Sequence, residues 1–497
     1  MRDFWISLPE WLQELLPIVI LLAVIAGVMR TLPKVDMGHT AAFRRRRALN
    51  WLPLGFTYAF LYMGRYNLNV AKTALGDSLT KQDFATIFMV GTLVYGVSFI
   101  INGPLTDRLG GKVTIIAAAL GASVTNALMG AVLYFQVDVD LVTALTVLYA
   151  LNMYFQSFGA VSIVKVKAPW FHVRERGVFG GVFGILISLG IYFAYDWGRI
   201  IVDSFGYVRD AAGQVALDAT GAKLVSVPGI AWVFFIPAIL LVVWAVIDFF
   251  LVVDHPEDVG FTIDTGDANA YDDGPAESPR RMFGKMLTNP IILTVCAIEF
   301  CSGYLRQAIM QWYMPFAKEV GAADGFVASN WGMVLCVAGI LGGMFAGAVS
   351  DHLFQSRRGP VAAFLYGIIL VGSGLMFVTV TSPGLHGWLV AFMSLAIIGV
   401  HGMLSGSASI DFGGKKNTGL AVGIIDGFVY LGTGLHALVL GIVLPSKAQD
   451  AFHQADPTDP ANWWTWAAAM VPVALIGLFF SARMWNTRPP MKSPAPH

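Results

Sequence analysis

Gly103-Pro-Leu-Thr-Asp107-Arg108-Leu-Gly110-Gly111-Lys112 is the most informative segment of the chain, because part of it returns later as Gly347-Ala-Val-Ser-Asp351. The two aspartates lie about 240 residues apart, which indicates an internal repeat. Two further pairs of basic features recur at nearly this spacing: Arg65 with Arg306, and Arg174 and Arg176 with Lys415-Lys416. A duplicated half predicts two similar helix bundles with a binding site where they meet.

The composition excludes most classes of soluble protein. The chain has 497 residues, of which 56% are hydrophobic and 13% charged, and its 32 Lys and Arg balance its 32 Asp and Glu. A soluble globular chain carries about twice that charged fraction. We therefore expect an all-α membrane protein, with no nucleic-acid partner. Cys296, Cys301 and Cys336 lie in apolar runs, so we expect no disulfide framework, no metal site and no cofactor.

Twelve runs of about 20 predominantly apolar residues are long enough to span a bilayer. They lie at 49–73, 84–105, 113–135, 141–164, 177–201, 229–253, 286–316, 327–350, 360–381, 384–410, 418–445 and 461–482. Another run, Leu15–Met29, predicts an extra N-terminal transmembrane helix, with a cleaved signal peptide as the alternative. The predicted units are the extra helix with a basic segment (1–47), a six-helix bundle (48–253), a linker (254–285), a second six-helix bundle (286–485) and a tail (486–497).

The positions of the positive charges predict the orientation, because Lys and Arg are retained on the cytoplasmic side. Most of the 32 Lys and Arg fall in alternate loops, and the tetrad Arg44–Arg47 precedes the first bundle helix. We therefore expect this segment and the C-terminal tail to be cytoplasmic. The localisation that follows is a multi-pass protein in the lipid bilayer of a bacterial inner membrane, and we expect a monomer.

The segment Gly103–Lys112 is similar to the signature loop of the major facilitator superfamily. Its glycines allow a tight turn, and its aspartate can pair with basic groups at neighbouring helix ends. The similarity implies the major facilitator fold of two six-helix bundles, to which the extra N-terminal helix is added here. We expect the following residues to gate the inner side rather than to contact substrate: Asp107, Arg108, Asp351, Arg174 and Arg176.

Arg65 and Arg306 lie inside apolar runs, where an ionisable side chain costs at least ~2.5–3.5 kcal/mol on insertion scales. The repeat predicts that they face each other between the two bundles. Two guanidinium groups in one cavity repel unless an anion is present, and a guanidinium fork matches phosphate or carboxylate oxygens. We therefore expect a pocket for an anionic, phosphorylated solute. The alternative is that each arginine snorkels outward or forms a structural pair.

Six segments carry a more specific resemblance. They are Tyr58…Tyr62-Met-Gly-Arg65-Tyr-Asn67, Tyr95-Gly…Gly103-Pro-Leu-Thr-Asp107-Arg108, Trp170-Phe…Arg174-Glu175-Arg176-Gly177, Pro256…Gly260, Tyr304-Leu-Arg306…Trp312 and Lys415-Lys416…Gly419…Gly423…Tyr430-Leu-Gly432. In this order they resemble the organophosphate:phosphate antiporters, which include the bacterial glycerol-3-phosphate and hexose-6-phosphate transporters. The resemblance implies that Arg65 and Arg306 bind a phosphoryl group. It also implies exchange of inorganic phosphate for a phosphate ester by a rocker-switch mechanism.

The chain departs from that family at several cationic positions. Tyr66 stands where the family commonly has a lysine, and Phe99 and Pro169 stand where glycerol-3-phosphate members have a lysine and a histidine. Phosphate would then have fewer cationic contacts. Lys72 is two helical turns after Arg65 on roughly the same face, so it is a candidate to restore one charge. A solvated position at the outer helix end is the alternative.

Acidic residues inside the apolar runs point to a different chemistry. Glu299 precedes Arg306 by two helical turns, so we expect it to neutralise that arginine in part. Asp426 has no local partner in the sequence, and a buried carboxylate can carry a proton. Asp426 therefore predicts proton coupling or recognition of a cationic group on the solute. His401 and His436 are candidates for a relay with it, and packing is the alternative role for each.

Aromatic residues near the two arginines are expected to line the cavity, because tyrosine hydroxyls can donate to phosphate or sugar oxygens. We select Tyr62 and Tyr304 first, since each lies within one turn of its arginine, and Tyr66 and Trp312 next. Further members of this aromatic group are Tyr58, Tyr95 and Tyr430. Packing against neighbouring helices is the alternative for each of them.

Three functional hypotheses remain open from the sequence. The first is exchange of an organophosphate for inorganic phosphate, and the second is proton-coupled symport of an organic anion through Asp426. The third is a ligand sensor that does not transport, with the extra N-terminal helix as its contact surface. No nucleophile constellation, metal motif or nucleotide-binding loop indicates an enzyme.

Overall fold

The computed structural model describes residues 2–31, 37–172, 175–210, 212–217, 223–263, 279–354, 357–404, 418–447 and 452–487. Within these residues the regular elements are helices, and strand pairing is limited to isolated bridges within 207–225 and 446–454. The prediction of an all-α protein is confirmed.

Thirteen long helices, numbered here in chain order, form the bundle in the described part of the chain. They are α1 (Glu10–Thr31), α2 (Ala41–Leu75), α3 (Lys81–Leu109), α4 (Gly111–Tyr134), α5 (Leu141–Trp170), α6 (Arg176–Tyr192, the π-helical turn Phe193–Trp197 and Gly198–Phe205), α7 (Trp232–Leu251), α8 (Pro290–Glu319), α9 (Trp331–Leu353), α10 (Arg358–Thr379), α11 (Pro383–Met403), α12 (Thr418–Val443) and α13 (Trp464–Arg483). Shorter helices are Arg2–Ile6, Val227–Ile230, Pro279–Thr288 and Phe326–Ser329.

Eleven helical segments of the described chain are long and apolar enough to cross a membrane. The other two long helices fall short for identifiable reasons. Helix α2 includes the tetrad Arg44–Arg47 and the interior cations Arg65 and Lys72. Helix α9 contributes only the shorter apolar segment Trp331–Ala346. The thirteen helices correspond to the twelve predicted spans and the extra N-terminal helix, and the chain is a multi-pass membrane protein.

The bundle helices pack as two sets. Helices α2 to α7 pack on one another, and α8 to α13 do the same. The main contacts between the sets join α3 to α12 and α6 to α9. These are the second and fifth helices of each set, so exchanging the two sets reproduces the same pair of contacts. This is the packing expected of two repeats related by an axis along the bundle.

Helices α8 and α12 approach each other so closely that glycine is required at two positions. A Cβ atom at Gly303 would lie 2.1 Å from the carbonyl oxygen of Val429, and one at Gly432 would lie 1.9 Å from that of Phe300. Small residues allow this kind of backbone approach between membrane helices. The contact fixes α8 against α12, and these helices carry the second arginine and several aromatic residues of the predicted site.

The signature loop is held by the start of the linker. Gly110 has a φ of +85°, which favours glycine, and the Asp254 carboxylate accepts a hydrogen bond from the Lys112 N–H at 2.9 Å. A Cβ atom at position 110 would lie 2.6 Å from Asp254 Oδ2. Gly110 therefore lets the linker dock on the turn between α3 and α4. We call this end of the bundle, where Arg44–Arg47 and Arg108 lie, the basic end.

The extra helix α1 packs on α9 of the second set. Its buried residues in the described part are Pro17, Leu21 and Val28, and Trp5 just before it contacts Phe326 edge-on at 4.9 Å between ring centroids. Much of the remaining apolar surface of α1 is exposed, as expected of a helix that faces lipid on most of its circumference.

Gly432→Ala is expected to lower the thermal unfolding temperature of the protein in detergent, because its methyl group overlaps the Phe300 carbonyl oxygen. Overpacking of this kind typically costs about 1–3 kcal/mol. Gly374→Ala on α10 is the matched control, since nothing lies within 4 Å of its Cβ position. That variant is expected to be neutral or slightly stabilised, because alanine favours helix over glycine. Equal unfolding temperatures for the two variants would contradict the close approach of α8 and α12.

Candidate functional site

Arg65 of α2 lies in the centre of the bundle and is 1% exposed. Its Nε donates to Gln156 Oε1 of α5 at 2.9 Å, and its Nη2 and Nη1 donate to the hydroxyls of Tyr95 at 2.8 Å and Tyr430 at 3.4 Å. The guanidinium also lies over the rings of Tyr62 and Tyr95, at 4.7 and 4.4 Å from their centroids. These partners are amide, phenol and aromatic groups, so they leave the positive charge of Arg65 uncompensated.

Arg306 of α8 joins the same group of aromatic residues. It lies within electrostatic range of Tyr62, Tyr66 and Tyr430, and the first and last of these also interact with Arg65. The structure therefore brings the two predicted arginines together between the two helix sets. Arg306 Nε is buried and has no hydrogen-bond partner among the described residues. A buried donor without an acceptor costs about 1–3 kcal/mol, so this position favours binding of an acceptor.

Two phenols supply donors beside the arginines. Tyr95 of α3 and Tyr430 of α12 pack edge-on, with ring centroids 4.3 Å apart, and Phe99 stacks on Tyr430 at 6.0 Å. Each phenol oxygen accepts from Arg65, and the two hydroxyls also hydrogen-bond to each other, which leaves one O–H to donate. An anion between the arginines would thus find both cationic and neutral donors. Tyr95 and Tyr430 are distant from Arg65 in the sequence, but they contact it directly because their side chains reach it from α3 and α12.

A pair of glutamines extends the site along α8. Gln307 Nε2 donates to the hydroxyl of Tyr66 at 3.0 Å, and Gln311 Nε2 donates to Gln307 Oε1 at 3.0 Å. Gln311 Oε1 is buried without a hydrogen-bond partner in the described chain. These two residues and Gln156 were not predicted from the sequence. Gln307 and Gln311 have a detectable signal, which is a spacing of four residues between amides on a helix that already carries an interior arginine.

Glu299 and His401 form a buried pair beside Arg306. Glu299 of α8 is fully buried, and its Oε2 lies 2.9 Å from Nδ1 of His401 on α11. The charge of Glu299 acts on Arg306, and that of Asp426 on α12 acts on His401 and Cys296. The structure thus places Glu299 in range of Arg306, and it places His401 in contact with Glu299 and in range of Asp426.

Three predicted binding residues lie elsewhere. Lys72 Nζ donates to the carbonyl of Gly76 at 3.1 Å, about 10 Å along α2 from Arg65 at 1.5 Å per residue. The ammonium group here satisfies a carbonyl at the helix end, and a role of Lys72 beside the arginines stays a prediction. Tyr304 packs edge-on against His436, and Trp312 packs edge-on against Phe84. Both side chains are buried at the interface of α8 with its neighbours.

The predicted gating residues lie largely outside the described part of the structure. Arg174 is not described, and neither are the side chains of Asp107, Arg176 and Asp351. Arg108 is exposed at the basic end and lines a cavity of about 460 Å³ together with Leu109, Gly110, Lys165, Pro169, Asp254 and His255. This cavity lies away from the arginine pair.

Glu175 organises the basic end of the first helix set. Its carboxylate accepts hydrogen bonds from Arg47 Nη1 at 2.9 and 3.0 Å, and His39 Nε2 lies 3.3 Å from it. Burial raises the pKa of Glu175, but the hydrogen bonds and charge of Arg47 and the hydrogen bond with His39 lower it, so that it lies below its usual range. The ionised carboxylate therefore ties the start of α2 to the start of α6.

The two helix sets are joined at the opposite end of the bundle. Lys81 Nζ of α3 forms an ion pair with Glu319 Oε2 of α8 at 2.8 Å and donates to the Pro445 carbonyl at 2.6 Å. The ammonium group also lies 4.6 Å from the ring centroid of Trp463. These contacts hold the first set against the second at this end.

The π-helical turn of α6 makes a second connection between the sets. The carboxylate of Asp196 accepts hydrogen bonds from the N–H groups of Gly332 and Met333, each at 2.8 Å, at the N-terminus of α9. A negative charge is favourable at this end of a helix. Tyr195 in the same turn donates to the Met310 carbonyl at 3.0 Å. A π-turn changes the direction of the side chains that follow it, which here lets α6 reach both α8 and α9.

Comparison with known proteins agrees with this architecture. The model of the Major Facilitator Superfamily matches residues 54–437. A glycerol-3-phosphate transporter of Bacillus subtilis (strain 168) is 23% identical over 91% of this chain and 95% of its own. The membrane sensor protein UhpC of Salmonella typhimurium is 24% identical, over 80% of this chain and 85% of its own. The hexose-6-phosphate:phosphate antiporter of Escherichia coli (strain K12) is 24% identical, over 86% and 88%.

A solved structure shares the fold. A bacterial homolog to the human lysosomal transporter Spinster, in an inward-facing and occupied conformation, superposes with a TM-score of 0.63 at 14% identity. The match covers 90% of this chain and 97% of the other. At this identity the likeness concerns the arrangement of helices alone.

Glu175→Gln is expected to destabilise the protein by about 1 kcal/mol at pH 7, because the neutral amide loses the charge-assisted contacts with Arg47. Ionised Glu175 contributes stability above the pKa of an unfolded glutamate, about 4.3, and this contribution is lost as the pH falls through the lower pKa of the folded state. The difference from wild type should therefore shrink as the pH falls below about 4.3. Thermal unfolding in detergent across pH 3–8 measures it, with the exposed Asp138→Asn as control. A difference that persists at low pH would contradict the assignment.

Proposed function

Because the chain belongs to the Major Facilitator Superfamily, we propose that it is a secondary active transporter that exchanges a phosphorylated organic anion for inorganic phosphate. The observation that carries this proposal is the pair Arg65 and Arg306, which share Tyr62 and Tyr430 at the interface between the two helix sets. Two cations at this depth require an anionic partner or compensation by acidic groups.

The donors at this site suit a phosphoryl group. Gln156 holds Arg65 Nε and so orients its two terminal nitrogens. Arg306 contributes a buried donor without an acceptor among the described residues, and the hydrogen-bonded pair of Tyr95 and Tyr430 adds a hydroxyl donor. A guanidinium group binds phosphate oxygens through paired hydrogen bonds, which a single ammonium group does not reproduce. Inorganic phosphate and a phosphate ester share the group that these donors bind, which supports exchange of one for the other at a single site.

The names of the relatives support the same substrate class. Both the glycerol-3-phosphate transporter and the hexose-6-phosphate:phosphate antiporter are similar to this chain over most of its length. The size of the organic group on the ester depends on residues around the arginine pair, among them Gln307, Gln311 and Tyr66. These side chains offer amide and phenol groups, which suit a hydroxylated ester.

Alternating access follows from the packing of the two helix sets. In this proposal the two sets rotate against each other at the contacts of α3 with α12 and of α6 with α9. The arginine pair lies between these two contacts. The contacts of Lys81 and Asp196 close the end opposite the basic end, so opening that end breaks them. The basic end faces the cytoplasm in this proposal, and the protein resides in a bacterial inner membrane with its C-terminus inside.

A sensor that binds the same anions without transporting them is the second candidate function. The similarity to the membrane sensor protein UhpC supports it. The exposed surface of α1, which packs on α9, is the surface that such a sensor would offer to a membrane partner. Anion binding with no measurable flux distinguishes this candidate from an exchanger.

Arg65→Ala and Arg306→Ala are each expected to reduce exchange of labelled phosphate to the background of empty vesicles, because each removes half of the cationic site. Arg65→Lys is expected to retain charge but lose paired hydrogen bonding, which at about 1.5–3 kcal/mol weakens phosphate binding about 10- to 100-fold. The measurement is uptake of labelled phosphate into proteoliposomes loaded with unlabelled phosphate.

Arg209→Ala is the control for these variants, since Arg209 is at the surface and donates to the carbonyls of Gly213 at 2.9 Å and Asp203 at 3.1 Å. It should exchange phosphate at the wild-type rate. Full exchange by Arg306→Ala would overturn the proposed site. Absence of wild-type exchange, with uptake of a carboxylate driven by a pH gradient, would instead favour a proton-coupled organic-anion symporter. Phosphate binding without either flux would favour the sensor.

A further inference from the structure

The two arginines of the site are electrostatically unequal. Arg65 is surrounded by Gln156 and phenol groups, which carry no charge at neutral pH. Arg306 lies in range of the carboxylate of Glu299, on the same helix. A site for a dianion thus contains a fully buried acidic residue on one of its two sides.

This acidic residue belongs to a cluster contributed by three helices. Glu299 of α8 is bonded to His401 of α11 at 2.9 Å. The charges of Arg306 and of Asp426 on α12 both act on His401. The side chain of His401 is 22% exposed while that of Glu299 is 0% exposed, so the imidazole lies between the buried carboxylate and the space that water can enter.

The other ionisable groups near the cluster do not replace its acidic members. In the described chain, the charged and titratable groups that face it are Arg306 and Cys296 from α8, Tyr366 from α10, Asp426 and Tyr430 from α12, and Tyr62 and Tyr66 from α2. Arg306 is the single cation in this set. Glu299 acts on Arg306 and Asp426 acts on His401, so a bound anion adds negative charge beside two carboxylates.

A dianionic phosphate bound at Arg306 repels the ionised carboxylate of Glu299, which is also in range of this arginine. The low dielectric of the bundle strengthens this repulsion. One proton on the Glu299 and His401 pair removes it without disturbing Arg306. The imidazole can receive the proton at its partly exposed ring and share it with Glu299 through the existing hydrogen bond. The same charge balance is not available at Arg65, which has neutral partners.

We propose that Glu299, His401 and Asp426 form a proton-binding cluster that takes up one proton when dianionic phosphate binds at Arg65 and Arg306. The proton comes from water on the side to which the site is open and leaves with the anion on the other side. Each phosphate dianion therefore crosses together with one proton. This inference rests on the proposed phosphate site and adds to it the coupling of proton binding to anion binding.

Isothermal titration calorimetry in two buffers of different protonation enthalpy tests the proposal. Inorganic phosphate is the probe, at about pH 8.5, where it is almost entirely dianionic, and the purified full chain in detergent is the sample. The buffer-dependent part of the binding enthalpy gives the number of protons taken up per phosphate bound. Wild type is expected to take up about one proton.

Glu299→Gln removes the buried carboxylate and keeps its shape. It is expected to take up no proton and to bind phosphate several-fold more tightly than wild type, because Arg306 is then no longer partly neutralised. A merely structural role for Glu299 predicts the opposite, a weaker site. His401→Gln provides a second variant that should also lose proton uptake, which keeps the test informative if Glu299→Gln does not fold.

Asp248→Asn is the matched control. Asp248 of α7 is also fully buried, but its partner is the hydroxyl of Thr57, at 2.6 Å, within the first helix set. This variant should take up the same number of protons as wild type.

The outcomes separate the two proposals. Phosphate binding by wild type without proton uptake overturns the cluster and leaves the exchanger intact. Uptake that persists in both Glu299→Gln and His401→Gln also overturns the cluster, since the proton then enters the phosphate itself. No phosphate binding by wild type, together with no exchange in vesicles, overturns the proposed function.

Discussion

The burial of a guanidinium group among helices is the constraint on which the site depends. Arg65 is held away from water by an amide, two phenol hydroxyls and two aromatic rings, which come from α3, α5 and α12 and from its own helix α2. Each of these groups can satisfy an N–H or stabilise a cation, and none of them cancels the charge. The fold thus maintains a positive centre that is solvated by side chains and remains available to an anion.

Placing a second cation beside the first requires that two helix sets meet with little separation. The contacts of α3 with α12 and of α6 with α9 supply this geometry, and α12 brings Tyr430 within reach of Arg65. The close approach at Gly303 and Gly432 fixes the position of α12 against α8, which carries Arg306. Backbone packing at small residues and electrostatics at the site are therefore parts of one arrangement.

Local periodicity and the internal repeat were sufficient to predict the spanning helices, the all-α class and the convergence of Arg65 and Arg306. Side-chain contacts between helices that are distant in the sequence could not be predicted in this way. Gln156 and His401 had no spacing that linked them to an arginine or a carboxylate, because they approach across α5 and α11. The contact of Lys72 has a different cause: its helical position agrees with that of Arg65, but the end of α2 offers a carbonyl acceptor to its ammonium group.

The three contacts of Lys81 have a consequence for the population of open states. One ammonium group serves a carboxylate of α8, a carbonyl at Pro445 and the ring of Trp463, so a partial separation of the helix sets strains all three contacts together. Intermediate separations of the two helix sets are therefore disfavoured. The equilibrium lies between a closed form, in which Lys81 keeps its three contacts, and an open form, in which it has lost them. The strength of these contacts, together with those of Asp196, sets how often the closed end opens without a bound solute.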